Sequence, residues 1–299
     1  MSFKEEKVTA IIVTYNPEIP ILLKLVSKLS NQVFQVVIID NSSNNKLEFT
    51  NALQNLSNVK LIMLDKNIGL ATAQNIGVKS AFESTDMFLF FDQDSSIDDS
   101  FVCKQLKCYY DLTLSGKSVA AVGPTFIDRN SGYRYPATVY KGPFLKRIPV
   151  NDHAVESTFI IASGSLIPRV NLEKIGLMLD DFFIDFVDVE WCLRAKSYNL
   201  ISYINPHVNM EHSIGDQRIT ILGRMISLHS DFRKYYIFRN GVFMLRLNYV
   251  PFGYKIRVMF FNMIRTVLGV VLSSDKIKSF KVSCSGWLDG FKPFNKKSR

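Results

Sequence analysis

Met87-Phe88-Leu89-Phe90-Phe91-Asp92-Gln93-Asp94 decides how this chain is read. Five apolar residues in succession predict a strand covered on both faces. The two carboxylates that follow, one residue apart, aim acidic oxygens off the edge of a sheet, where a divalent cation and a diphosphate can meet. Read alone, the segment also suits an acidic turn, with Ser95-Ser96 supplying helix-cap chemistry. Compatible signals on both sides favour the first reading.

Upstream, Val8 to Thr14 reads as a buried strand, Pro17 and Pro20 punctuate a loop, and Ile21 to Leu29 has helical periodicity. The pattern then repeats. Val36 to Asp40 predicts a second strand, followed by the polar tract Asn41-Ser42-Ser43-Asn44-Asn45 and a helix from about Leu47 to Leu56. Val59 to Leu64 makes a third strand, and Ala71 to Phe82 a helix that leads into the strand at Met87. Strands alternating with helices specify an α/β fold with a mostly parallel, Rossmann-like central sheet, whose ligands gather beyond the carboxyl ends of the strands.

Three such ends carry polar residues: Thr14-Tyr15-Asn16, Asp40-Asn41-Ser42-Ser43 and Asp92-Gln93-Asp94. One crevice would then hold a base, a ribose and a metal-bound diphosphate in series. Asn67-Ile68-Gly69-Leu70-Ala71 opens the helix bearing Gln74, Asn75 and Gly77, and its start is expected to offer free N–H groups. A GxGxxG fingerprint and a Walker loop are both absent, which counts against a dinucleotide-dependent oxidoreductase and a P-loop NTPase.

Composition fits a globular protein of 299 residues, 47% apolar and 21% charged. The charged N-terminal stretch Met1 to Lys7 contains no secretory apolar region, which points to the cytosol. Cys103, Cys108, Cys192 and Cys284 form no CxxC pair, so reduced thiols are expected rather than disulfides or a zinc site. The net charge of +9 is uneven: residues 216–299 hold 16 Lys and Arg against 4 Asp and Glu, while residues 1–215 hold 20 against 23. Residues 1–215 therefore read as a catalytic domain and 216–299 as a basic, mainly helical extension. Apolar and basic residues interleave in Tyr254 to Phe261 and Met263 to Leu268, as in a helix lying on an anionic leaflet. The alternative is a helix packed on the catalytic domain with its basic face in water. The absence of a nucleic-acid motif argues against nucleic acid as a partner. Asn262 and Arg265 interrupt the longest stretch that would otherwise approach a membrane span.

Val13-Thr14-Tyr15-Asn16, Ile39-Asp40-Asn41-Ser42, Asn67 to Ala71 with Asn75-Ile76-Gly77, and Asp92-Gln93-Asp94 resemble, in order and spacing, the motifs of family 2 inverting glycosyltransferases of the GT-A fold. The resemblance covers about residues 8–215. Gln93 between the aspartates, the run Phe183 to Arg194, and His212-Ser213-Ile214-Gly215-Asp216 resemble the rhamnosyltransferase branch that builds bacterial surface polysaccharides.

Inverting transfer needs a carboxylate to take the acceptor's proton and a cation to neutralise the departing diphosphate. The resemblance implies Asp188 as base, aligned on Leu193-Arg194; where the family often has Glu, this chain has Val187, so Asp185 and Glu190 remain rivals. Were the whole segment helical, Asp185 and Asp188 would share a face. It further implies metal ligation by Asp94 with Asp92 and His212, for Mg²⁺ or Mn²⁺. Thr14, Tyr15, Asn16, Asp40, Asn67, Gly69, Asn75, Asp92 and Gln93 are implied to hold the donor nucleotide, with Asp40 accepting from the pyrimidine; their plainer reading is strand-end caps. Ser163, Gly164, Glu190 and Trp191 are implied to face the acceptor. The expected donor is dTDP-L-rhamnose and the acceptor a polyprenyl-diphosphate-linked saccharide, reached from the cytosolic face of the membrane. A UDP-hexose donor, and an inactive sugar-nucleotide-binding or membrane scaffold, are the competing readings. Tyr15-Asn16-Pro17-Glu18 is not the Gly-rich, Arg-containing loop that a nucleotidyltransferase requires. Arg233, Tyr235, Tyr236, Arg239 and Asn240 resemble a recurring stretch of the family's tail.

Overall fold

A computed structural model gives the fold and describes residues 6–53, 56–128, 131–212, 218–221, 224–227 and 230–294. The strands are β1 (Val8–Thr14), β2 (Gln35–Asp40), β3 (Val59–Met63), β4 (Met87–Asp92), β5 (Val119–Asp128), β6 (Ala137–Lys141), β7 (Phe144–Ile148), β8 (Val155–Ser157), β9 (Leu166–Pro168), β10 (Ile201–His212), β11 (Arg218–Ile221) and β12 (Arg224–Ser227). The α-helices are α1 (Ile19–Ser30), α2 (Lys46–Leu53), α3 (Leu70–Ala81), α4 (Phe101–Leu114), α5 (Arg169–Ile175), α6 (Val187–Ser197), α7 (Asp231–Arg246), α8 (Phe252–Val271) and α9 (Lys276–Asp289).

Among the described residues, eight strands form one sheet in the order β3-β2-β1-β4-β9-β5-β10-β8. β1, β2, β3 and β4 are mutually parallel, as is the pair β5 and β10, while β9 and β8 run antiparallel to their neighbours. The apolar runs of β1, β2 and β4 are buried on both faces because helices cover both. Alternate residues serve different cores. Ile11, Ile39, Phe88 and Phe90 pack with α3 and α6, whereas Ile12, Ile38, Leu89 and Phe91 pack with α1 and α4.

Phe243 and Met244 of α7 and Tyr254 and Val258 of α8 join the α3–α6 core. The C-terminal region is thus continuous with the interior of the α/β layer. Asn262 is fully buried on α8 against Gly241 of α7, where a β-carbon would meet the Asn262 amide at 2.1 Å. The small residue sets how closely the two helices cross.

Candidate active site

The rim is built where β1, β2 and β4 end. Thr14 lies in register with Asp40, and Val13 with Asp92, so the polar termini of three adjacent strands share one edge. Sequence neighbours lie on opposite sides of β1, and such a reversal of strand order opens a crevice at the carboxyl ends. Asp40 is fully buried: its carboxylate accepts from Thr14 Oγ1 at 3.0 Å, from the Ser43 N–H at 2.9 Å and from the Ser43 hydroxyl. Asn16 donates its N–H to Ser43 Oγ at 2.8 Å and accepts from the Asn44 N–H at 2.8 Å. Gln93 clasps Tyr15, accepting its N–H at 2.7 Å and donating to its carbonyl at 3.3 Å. These bonds lock the three strand ends together and leave Tyr15 half exposed above them.

The Asn67-Ile68-Gly69-Leu70 stretch does something the sequence did not suggest. Asn41 donates to Asn67 Oδ1 at 2.9 Å and accepts from the Ile68 N–H, while Asn67 Oδ1 also takes the Gly69 N–H at 3.0 Å. Gly69 has φ +86°, and a β-carbon there would lie 2.5 Å from the Phe183 ring and 2.8 Å from its carbonyl oxygen. Glycine therefore lets the 183 segment dock on the start of α3. The expected free N–H groups are spent there: the Phe183 carbonyl accepts from Leu70 at 2.5 Å and from Ala71 at 3.3 Å. Asn75, buried one turn on, donates to the Met178 carbonyl and to Asp180 Oδ1, each at 2.8 Å, and accepts from the Met178 N–H at 3.0 Å. It frames the loop that leads to Phe183.

That loop carries the acidic residues. Phe183, Asp185 and Phe186 have φ of 56°, 61° and 65°, so the chain turns left-handed before α6 begins at Val187. Asp185 therefore lies outside the helix and does not share a helical face with Asp188. Its carboxylate is gripped by Arg233 of α7, with Nη2 2.6 Å from Oδ1 and Nε 3.3 Å from Oδ2. Asp188, in the first turn of α6, accepts the Val189 N–H at 2.8 Å on Oδ1 and the Ala162 N–H at 3.3 Å on Oδ2. Burial pushes the Asp188 carboxyl up to about 6 against those donors. Burial likewise pushes Asp92 to about 6, reinforced by the charges of Asp94 and then Asp188 and opposed by Arg233. The charges of Asp94 and of Asp188 both reach Asp92, and Asp94 is the exposed member of the three. Carboxylate oxygens, one exposed and one half-buried, fit a hard divalent cation that completes its shell with diphosphate and water. Among the described residues no three His, Cys, Asp or Glu side chains converge on one point, and the side chain of His212, at the end of β10, lies outside them, as do residues 213–217.

Ser163, Gly164, Glu190 and Trp191 are all buried, and Trp191 lines a small cavity together with Asp188 and Ala162. Ser163 Oγ accepts the Asp92 N–H at 3.2 Å and bonds Ser95 Oγ at 2.7 Å. Gly164 has φ +77°, and a β-carbon there would meet Met210 Sδ at 2.5 Å. The 162–165 turn can therefore lie flat between β4 and α6, tying Asp92 to Asp188. Glu190 is fully buried on Arg194 (Nε to Oε1 2.8 Å, Nη2 to Oε2 3.1 Å) and accepts from the Tyr249 hydroxyl. Arg194 in turn donates to the carbonyls of Ile175 and Leu177, and Trp191 Nε1 to Gly176 O at 2.9 Å. These residues hold α6, and with it Asp188, in place.

The C-terminal stretch supplies the rest of the scaffold. Asn240, fully buried, donates to the carbonyls of Phe182 and Ile184 at 2.7 Å and of Asp185 at 2.9 Å. Arg239 donates to the Asp181 carbonyl and lies over Tyr236, whose ring stacks on Phe183 with centroids 4.7 Å apart. The spacing of Arg233, Tyr236, Arg239 and Asn240 at three- and four-residue steps was the available signal: it puts them on one side of α7.

Residues 9–176 match the profile of glycosyl transferase family 2. Among curated proteins, "dTDP-rhamnosyl transferase RfbF" of Shigella flexneri is 38% identical over 287 residues, covering 95% of both chains. "Uncharacterized glycosyltransferase YwdF" of Bacillus subtilis (strain 168) is 28% identical over 235 residues, 75% of this chain and 84% of that protein. The fold is similar to that of S. aureus TarS 1–349 in complex with UDP-GlcNAc, with a TM-score of 0.58, 14% identity and coverage of 96% of this chain and 82% of that one. It is also similar to GalNAc-T7 with UDP, GalNAc and Mn²⁺, with a TM-score of 0.57 and 15% identity over 87% of this chain and 54% of that one.

Proposed function

The chain belongs to glycosyl transferase family 2, and on that footing we propose that it moves L-rhamnose from dTDP-L-rhamnose, with inversion, onto a lipid-linked saccharide in bacterial surface polysaccharide synthesis. The observation that carries this reading is the gathering of Asp92, Asp94 and Asp188 on one rim. The relative from Shigella flexneri supports the sugar.

Asp188 is the base. Two backbone N–H groups orient its carboxylate, and a value raised to about 6 leaves it mostly ionised at neutral pH yet basic enough to accept a proton. Asp185, engaged by Arg233, is less able to serve. Thr14, Tyr15, Asn16, Asp40 and Gln93 form the nucleoside end of the crevice, with Asn67, Gly69 and Asn75 setting its floor and the seat of the Phe183 loop. A divalent cation held by Asp94 with Asp92 would supply positive charge against the leaving diphosphate.

Residues 216–299 are assigned to the membrane surface, with residues 1–215 as the catalytic domain. On α8, Phe252, Ile256, Met259, Met263, Val267 and Val271 are all exposed at three- and four-residue spacing, opposite the buried Tyr254, Val258 and Asn262. Residues 252–288 contain six Lys and Arg and one acid, Asp275. An apolar stripe flanked by cations suits the cytosolic, anionic leaflet where a polyprenyl-linked acceptor resides. No helix of the described residues is long and apolar enough to cross a membrane.

Thermal shift against a panel of nucleotide sugars with Mg²⁺ or Mn²⁺ tests the donor, because a ligand of the native state raises the melting temperature by mass action. dTDP-L-rhamnose should give the largest shift. A larger shift with a UDP-hexose would reassign the donor, and no shift with any would favour a scaffold.

A further inference from the structure

We propose that Arg233, brought in from the C-terminal helical region, is the protein cation that meets the donor's diphosphate, with Asp185 as its partner while the donor is absent; this rests on the nucleotide-diphosphate-sugar reading above.

Four observations converge on it. The rim is crowded with negative charge, for Asp92, Asp94, Asp185 and Asp188 lie within two short segments, and a diphosphate entering there adds more. Arg233 is the cation whose charge reaches Asp92 among the described residues. It stands on α7, outside the α/β layer's own motifs, yet its guanidinium grips Asp185 three residues before the base. Its side chain keeps 39% of its surface exposed while that of Asp185 keeps 15%, so solvent reaches the arginine more than the carboxylate. A guanidinium fork that fits a carboxylate in two-point fashion also fits a phosphate, so it can exchange one for the other without changing its hydrogen-bond geometry.

In the transfer, the acceptor oxygen bonds to the anomeric carbon as the bond from that carbon to the diphosphate oxygen breaks. The electron pair leaves on the diphosphate, facing Arg233, and the acceptor's proton passes to Asp188. Asp185, relieved of its partner, stays fixed by the hold of Asn240 on its carbonyl.

Calorimetry of the full chain with dTDP and Mg²⁺, together with ligand-observed NMR of thymidine, tests this. Arg233→Gln should weaken dTDP at least tenfold and leave thymidine unaffected, with Arg233→Lys intermediate. Asp185→Asn breaks the same ion pair from the other side and should leave dTDP within twofold or bind it more tightly. An Arg233→Gln protein that binds dTDP as the parent does overturns the proposal while sparing the donor reading. Asp185→Asn weakening dTDP as much as Arg233→Gln overturns it too, since Arg233 would then act only through the turn. If Arg233→Gln loses thymidine as well, Arg233→Lys decides: dTDP weakened with thymidine retained supports the assignment, and both unchanged defeats it. A parent chain that binds no nucleoside diphosphate removes the proposal and the donor reading together.

Discussion

Asn240 donates its side-chain amide to the backbone carbonyl of Asp185 at 2.9 Å, and so a helix of the basic tail fixes the turn that precedes Asp188. Left-handed non-glycine residues cost on the order of 1–3 kcal/mol each and persist only where their surroundings over-determine them. Phe183, Asp185 and Phe186 are three such residues. Asn240→Ala takes this donor from the Ile184 and Asp185 carbonyls in a buried site, at about 1–3 kcal/mol for each that stays unsatisfied, while the Phe182 carbonyl keeps the Ile184 N–H. We expect a clear drop in urea midpoint and a transfer rate that falls more than donor affinity does. Parental turnover in a stably folded variant would show that the turn needs no such hold.

Asp188→Asn should bind donor like the parent and lose transfer by at least about 10²-fold, the lower end of what a positioned base contributes. A single-turnover assay with saturating donor measures this directly. Activity retained within threefold would move the base to another group.

The same carboxyl sets a pH signature. Asp188 and Asp92 are both pushed up to about 6 by burial, so kcat/KM should climb from pH 5 to about 7 and then level off. Stability follows the opposite course for these groups. A carboxyl whose folded value is raised binds its proton more tightly in the native state, so its contribution is complete below the unfolded value near 4 and is lost as pH rises through about 6. Asp188→Asn, which never ionises, should therefore gain melting temperature relative to the parent, more at pH 7 than at pH 4.5. An equal difference at both values would place Asp188 in water.

Arg194→Leu leaves the Glu190 carboxylate buried without its cation, and removing one partner of such a pair costs about 3–5 kcal/mol. Urea unfolding should report a loss of that size. A change below about 1 kcal/mol would mean that the site tolerates the loss of its cation.

On α8, replacing Met259, Met263 and Val267 together by serine should abolish flotation with vesicles containing anionic lipid and leave the melting temperature nearly unchanged, because all three are exposed. Unaltered flotation would assign the stripe to something other than a lipid surface.

The α/β layer was legible because Val8–Thr14, Gln35–Asp40 and Met87–Asp92 are predominantly apolar runs ending in polar residues, a pattern with few other readings. Their register follows from strand order, so the meeting of Thr14, Asp40 and Asp92 could be anticipated. What sequence does not separate is a side chain that lines a cleft from one that braces it. Glu190 and Trp191 sit beside Asp188 in the chain and Ser163 follows Ala162, whose N–H donates to Asp188, yet each is tied to a neighbour distant in sequence: Ser163 to Asp92, Glu190 to Tyr249, Trp191 to Gly176. The three-residue spacing of Asp185 and Asp188 would put them on one face only in a helix, and the left-handed turn that separates them is held from α7, some fifty residues on. The strand β9, three residues long and antiparallel between β4 and β5, is too short to announce itself by period.

That dependence on α7 gives the chain a timetable. A polypeptide leaves the ribosome amino end first, and its early segments begin to fold while later ones are still being made. The nucleoside end of the proposed crevice is built from residues up to Gln93, whereas Arg233, proposed to meet the diphosphate, and Asn240, which holds the turn ahead of Asp188, both emerge with α7. Full hold on the donor and catalytic competence should therefore arrive together with α7, just ahead of the helix that carries the apolar stripe.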